Sequence, residues 1–266
     1  MKRLLICLCA LLLLLCTGCP RPSPVGPESE PAPSQPWPDL PQQRGRPGYY
    51  YREIFFEKVE DGVQTYQLHQ PAEKEKGKRY PILIHLHCLG ESEGTARYPI
   101  TKVTGDYLIA PLIKLVNEQP EIFECYTVLP VDATSLNIRR IIERLVTYEQ
   151  GDPDRVYLTG TSLGGFGTCD YMFTFPETLA CAVPISGCTV GADAAPLVDL
   201  PVRIYHSADD PVVSVVTAQQ LHQALKAAGS TKVEYFELRG YGHMAWNYAH
   251  KPELLEWMFK QNRKDR

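Results

Sequence analysis

Residues 155–168 read RVYLTGTSLGGFGT. Val156 to Thr159 suit a strand, and the run stops at Gly160. Gly160-Thr161-Ser162-Leu163-Gly164 follows, and residues 165–175 can continue as a helix. A parallel strand that enters a helix through G-x-S-x-G must turn sharply. Its glycines leave room for backbone angles and close packing that other residues resist. The serine is then pushed out at the helix N-terminus, above the edge of the sheet. The five-residue pattern is only moderate evidence by itself, and its strand–turn–helix context makes Ser162 a candidate nucleophile.

The surrounding sequence supports that context. Residues 54–59 and 63–69 read as two strands joined by an Asp61-Gly62 turn, a hairpin signal. Residues 81–87, PILIHLH, form a dense apolar run suited to a buried central strand. Further strands are predicted at 126–129, 156–159, 182–185, 202–206 and 233–238. Helices are predicted at 138–148, 165–175, 218–228 and 253–260, with Asp152-Pro153-Asp154 as a break and Gly229 as a stop. After the hairpin, strands and helices alternate, which argues for a mostly parallel sheet flanked by helices. In such sheets the active site lies at the carboxyl ends of the strands.

A serine hydroxyl is a weak nucleophile at neutral pH and needs a base, which in turn needs an orienting carboxylate. Both should follow later strands, acid before histidine. Ser207-Ala208-Asp209-Asp210-Pro211 follows one strand and Arg239-Gly240-Tyr241-Gly242-His243 follows the next. His243 is the predicted base. Asp209 and Asp210 compete for the acid; Asp210 is favoured, with Asp209 read as a solvated or capping turn residue. The remaining histidines read as structural or surface residues. An oxyanion hole needs two converging N–H groups. Leu163 and Leu89, the latter in the loop after the central strand, are the candidates. No metal or cofactor is implied.

Several segments resemble α/β-hydrolase esterases of the group that includes feruloyl and polyhydroxyalkanoate-type esterases and prolyl-oligopeptidase-like hydrolases. They are YPILIHLHCLGE, DPDRVYLTGTSLGGFGT, FPETLACAVPISG, VRIYHSADDPVVSV and YGHMAWNYAHKPELLEWMFKQ, in the family's order from Tyr80 to Gln261. The resemblance implies an α/β-hydrolase fold with an N-terminal antiparallel hairpin. It implies Ser162 as nucleophile, Asp210 as acid, His243 as base and Leu89 and Leu163 as oxyanion donors. Trp246 matches a tryptophan usual just after the histidine and is assigned to substrate binding. The implied activity is carboxylic ester hydrolysis through an acyl-enzyme. Two departures stand out: Cys88 and Ser207 each occupy a position where the family carries glycine. The stretch from Pro130 to Ile138 is short, so the pocket is expected to be open or shaped by residues 91–125. Within those, residues 107–116 read as a packing helix, with a lid as the alternative.

The chain has 266 residues, 44% of them hydrophobic, and a net charge of −4, which gives no sign of a nucleic-acid partner. Met1-Lys2-Arg3 precedes an apolar run over residues 4–15, the pattern of an export signal. Thr17-Gly18-Cys19 resembles a bacterial lipobox, which makes Cys19 a lipid-attachment candidate and the cell envelope the expected location; plain secretion is the alternative. Residues 20–47 are proline-rich and read as a disordered linker, leaving 48–266 as the catalytic domain. Of nine cysteines, Cys88, Cys125, Cys169, Cys181 and Cys188 lie in that domain and read as buried small hydrophobes. Two other functions fit the same residues: a serine peptidase of the same fold, and a non-catalytic binding protein on a hydrolase scaffold.

Overall fold

The computed structural model describes residues 43–44, 49–55, 65–71, 74–88, 112, 115–116, 119–130 and 132–266. The strands are β1 (Gln43–Arg44), β2 (Tyr49–Phe55), β3 (Thr65–Pro71), β4 (Tyr80–Leu86), β5 (Tyr126–Pro130), β6 (Gly151–Thr161), β7 (Cys181–Ile185), β8 (Val202–Ser207) and β9 (Val233–Leu238). They form one sheet in the order β1-β2-β3-β5-β4-β6-β7-β8-β9. β1 to β3 pair antiparallel, and β3 joins β5 antiparallel. From β5 through β9 every pairing is parallel. This is the α/β-hydrolase fold, and the predicted hairpin is β2–β3, with Ile54 opposite Tyr66. Its Asp61-Gly62 turn lies outside the described residues.

β4 sits between β5 and β6 with all seven residues buried, as its apolar run requires. Successive side chains of a strand point to opposite faces, and the core divides accordingly. Ile82, Ile84 and Leu86 join one apolar cluster with Val156, Leu158, Val202 and Ile204. Leu83, Tyr157 and Tyr205 join the other. Helix α2 (Ser135–Tyr148) covers the first face with Ile138, Ile141, Ile142 and Leu145. Those positions recur at i, i+3, i+4 and i+7, one stripe of a helix. Burying each contributes on the order of 1.5–3 kcal/mol. α3 (Leu163–Thr174) and α4 (Val216–Ala227) lie on the same face; α1 (Pro120–Phe123), α5 (Trp246–Ala249) and α6 (Pro252–Phe259) contribute to the other. Of residues 107–116, only Leu112, Leu115 and Val116 are described. Leu112 and Val116 are buried beside Leu83 and Phe123, in packing positions.

Two differences from the sequence reading have local causes. Asp152-Pro153-Asp154 ends α2 but does not break β6, which runs from Gly151. The pairing with β4 shifts register between Tyr80 and Ile82, so residues 152–155 form a bulge opposite Pro81. A bulge tolerates the proline's missing N–H. Asp152 closes it by accepting from the Asp154 N–H at 3.0 Å and from Arg155 Nε at 2.7 Å. At the other end, Gln43 and Arg44 fall inside the segment assigned to the linker, yet pair as β1 with Tyr51 and Tyr50. They occupy the proline-free gap between Pro41 and Pro47, where the backbone keeps its donors. Of the five domain cysteines, Cys125, Cys169, Cys181 and Cys188 are buried free thiols and Cys88 is half-buried.

Candidate active site

β6 passes into α3 through the G-x-S-x-G turn. Ser162 stands at the helix N-cap with φ +55 and ψ −113. This left-handed backbone costs a non-glycine residue about 1–3 kcal/mol, and packing holds it there. A Cβ on Gly160 would stand 2.2 Å from the Gly164 carbonyl oxygen, and one on Gly164 only 2.1 Å from that of Leu86. Both motif glycines are therefore required by space. The Ser162 N–H donates to the Ile185 carbonyl at 2.9 Å, tying the turn to the end of β7.

Asp210 and His243 reach Ser162 from the loops after β8 and β9. His243 Nε2 lies 2.9 Å from Ser162 Oγ, and His243 Nδ1 lies 2.8 Å from Asp210 Oδ2. A carboxylate only accepts, so Nδ1 carries the proton and Nε2 offers its lone pair to the serine hydroxyl. The Asp210 side chain is fully buried. Its Oδ1 accepts from the backbone N–H groups of Val212 at 2.8 Å and Val213 at 3.0 Å. These bonds replace the water that burial removes.

His206, read from sequence as structural, also approaches Asp210. Its fully buried ring places Nε2 3.1 Å from Asp210 Oδ2 and 3.0 Å from the Val213 carbonyl oxygen. Both neighbours are acceptors, so Nε2 bears a proton; it donates to the Val213 carbonyl, and Asp210 Oδ2 lies beside it. The spacing of four residues from His206 to Asp210 was the available signal. Asp209, read as a solvated or capping residue, instead links two loops. Its Oδ1 accepts from Ser207 Oγ at 2.5 Å and from the Gly240 N–H at 2.9 Å.

Trp246 is buried, and its ring stands edge-on to His243 with centroids 5.5 Å apart. Its ring contact is with His243. Leu163 follows the serine as the first residue of α3, where a helix N–H has no carbonyl in a preceding turn to bond. That N–H is available to an anion at the helix N-terminus. Leu89 and Cys19 lie outside the described residues. His87, two residues before Leu89, is buried and donates Nδ1–H to the Cys88 carbonyl at 2.9 Å. Leu163, Val212, Val216, Tyr241 and Met244 are large apolar side chains left exposed on the segments that follow β6, β8 and β9, which carry Ser162, Asp210 and His243. Among the described residues no helix is long and apolar enough to cross a membrane.

The sequence pattern of the phospholipase/carboxylesterase family matches residues 129–250, the span that contains Ser162, Asp210 and His243. A poly(3-hydroxyalkanoate) depolymerase C from Paucimonas lemoignei is 31% identical over 118 residues, which are 40% of this chain and 28% of that one. A thermostable esterase of known structure superposes with a TM-score of 0.70 at 26% identity, over 80% of this chain and 63% of that one. The chain thus spans less than two thirds of the length of either. The feruloyl esterase module from Clostridium thermocellum, solved with sinapinate, shares the fold at 15% identity, with a TM-score of 0.59 over 82% of this chain and 91% of that one.

Proposed function

We propose that this chain, which has the α/β-hydrolase fold and matches the phospholipase/carboxylesterase pattern over residues 129–250, hydrolyses carboxylic esters with Ser162, His243 and Asp210 as its triad. One observation carries the reading: the unbroken line from Ser162 Oγ through His243 to Asp210, with contacts of 2.9 and 2.8 Å. Ser162 Oγ attacks the ester carbonyl carbon as its proton passes to His243 Nε2. The carbonyl π electrons move onto oxygen, and the Leu163 N–H stabilises that charge, with Leu89 assigned the second donor. Asp210 holds the imidazole tautomer and stabilises the imidazolium. His243 then returns the proton to the departing alkoxide, which leaves as alcohol. Water repeats the cycle on the acyl-enzyme and releases the acid. Trp246, expected from sequence to bind substrate, is assigned here to holding His243 in place.

The exposed apolar side chains near the triad favour esters with apolar acyl or alkoxy groups over charged ones, since binding would remove that surface from water. The N-terminal pattern supports export and acylation at Cys19, which would keep the enzyme at an envelope membrane.

The full chain and Ser162→Ala are to be compared on p-nitrophenyl acetate, butyrate and a long-chain ester. Hydrolysis by the first and a loss of at least ~10³-fold in the second is expected. Equal rates in both would reject the assignment of Ser162. Cys19→Ala should lose label from a fatty-acid analogue and leave the membrane fraction; an unchanged distribution would reject the anchor.

A further inference from the structure

Asp209 is exposed, as a carboxylate in a surface turn usually is, but its bonds run inward and across the molecule. One oxygen, Oδ1, receives two donors from opposite sides. The Ser207 hydroxyl comes from the fully buried end of β8, and the Gly240 N–H comes from the loop after β9, 31 positions along the chain. Asp209 is adjacent to the acid Asp210, and Gly240 precedes the base His243 by three residues.

The loop it reaches needs holding. Gly240 and Gly242 have φ of +81 and +52, so the backbone between β9 and His243 passes twice through the left-handed region. A Cβ on Gly240 would meet nothing within 4 Å. Packing therefore does not define its position, and glycine leaves it many alternatives. The loop has other supports besides the contacts of His243 itself. Tyr241 packs edge-on against Tyr248 with centroids 5.7 Å apart, and the Met244 N–H donates to the Tyr241 carbonyl at 2.9 Å. Both act at or beyond Tyr241. The bond to Asp209 acts on the segment between β9 and Tyr241. Ser207 stands where related esterases carry glycine, and its hydroxyl is what orients the Asp209 carboxylate.

We propose that Asp209 is a positioning residue for the base: with Ser207 it forms a strut between the acid loop and the base loop that fixes the turn carrying His243 against Asp210 and Ser162. This rests on the triad assigned above. The Ser207 hydroxyl first, and then the backbone N–H of Gly240, hold the Asp209 carboxyl below the usual carboxylate range, consistent with an anion that is bonded rather than merely solvated.

The test uses the full chain with Asp209→Ala, Asp209→Asn and Ser207→Gly. Asparagine keeps an Oδ1 that accepts both bonds, alanine removes both, and Ser207→Gly removes one. Misplacing a catalytic group by an ångström costs up to ~100-fold. Asp209→Ala should therefore lose ~10- to 100-fold in kcat with KM within about twofold. Asp209→Asn should stay near the parent, and Ser207→Gly should fall between them. A parental kcat in Asp209→Ala, or equal losses in the alanine and asparagine variants, would overturn the strut. Should Asp209→Ala fail to fold, Ser207→Gly decides, and an unchanged kcat there would overturn it. A second readout does not depend on ester hydrolysis. The low-field proton resonance of His243 Nδ1–H should persist in the parent and Asp209→Asn and broaden or vanish in Asp209→Ala. Persistence in all three would overturn the strut. A chain inactive on every ester that still showed this pattern would reject the esterase reading and leave the strut standing.

Discussion

The two halves of the proposed active site are held in place by different physics. The nucleophile turn is fixed by backbone against backbone. Gly160 and Gly164 press on carbonyl oxygens where no Cβ fits, and Ser162 is locked at φ +55 between the ends of β4 and β7. The acid and base loops are fixed by polar side chains. Asp210 gathers Val212, Val213, His206 and His243; Asp209 gathers Ser207 and Gly240. Steric exclusion is steep and admits little compromise, whereas hydrogen bonds yield by degrees. Damage to the turn should thus be all-or-none, and damage to the loops graded.

The most severe break is Gly164→Ala. The added Cβ meets the Leu86 carbonyl oxygen at 2.1 Å, and neither strand nor helix can retreat without unpacking β4 from α3. Activity should fall to background and stability by about 3 kcal/mol or more, read by ester hydrolysis and denaturant melts. A variant with full stability and half the activity would erase the contrast. On the loop side, Asp210→Asn should remain folded, because an amide oxygen still accepts from Val212 and Val213. It removes the charge facing His243 Nδ1 and should lower kcat by about 10²–10⁴-fold at neutral pH. A loss of folding comparable to Gly164→Ala would show that the loop is no softer than the turn.

Legibility in the sequence divides along the same line. The turn was readable because steric demands appear as glycines at set positions beside a serine, with β6 and α3 on either side. The parallel pairing of β5 through β9 followed from alternation, though their order in the sheet did not, and β9 falls at residues 233–238 as predicted. Polar supports were harder to read. The Asp209–Gly240 bond joins residues 31 positions apart, and nothing local in Asp209 separates a bonded carboxylate from a solvated one. His206 lay in a clear strand pattern, which hid its contact with Asp210. The bulge in β6 was missed because Pro153 ordinarily ends strands, and the four-residue α5 is too short to show a period.

His206→Phe sharpens the comparison at smaller amplitude. It removes the imidazole N–H that stands 3.1 Å from Asp210 Oδ2 and bonds the Val213 carbonyl, and leaves the two backbone donors on Oδ1. The carboxylate then keeps its place but loses part of its restraint. A loss of about 3- to 10-fold in kcat is expected, in line with losing one hydrogen bond and a polar neighbour of the carboxylate. His206→Gln, whose amide can still donate, should recover part of it. A loss as large as that of Asp210→Asn would mean that His206 alone holds the acid.

Acid offers the mildest challenge, and it should reach the turn side first. His85 on β4 is fully buried next to Leu86, with its ring 5.4 Å from that of His250. Burial first, then the nearby His250 and His87, push its pKa well below the ordinary imidazole value. Burial also lowers His69 to about 4. Both stay neutral in the folded chain at pH values where an unfolded chain, near 6.5, takes up the proton. The unfolded state therefore binds more protons below about pH 6.5, and stability falls as pH drops through that value. Each histidine that stays neutral in the fold forfeits about 1.4 kcal/mol by pH 5.5. Asp209, whose carboxyl is lowered, acts in a separate window: its contribution is present above the ordinary carboxylate pKa of about 4 and is lost only in stronger acid. Melting temperature measured from pH 7.5 to 5 should decline in the parent and decline less in His85→Leu. The slope should not flatten completely, because His69 still acts. Asp209→Asn should track the parent across that range, and a flattened slope there would place the acid sensitivity in the loops instead of beneath the turn.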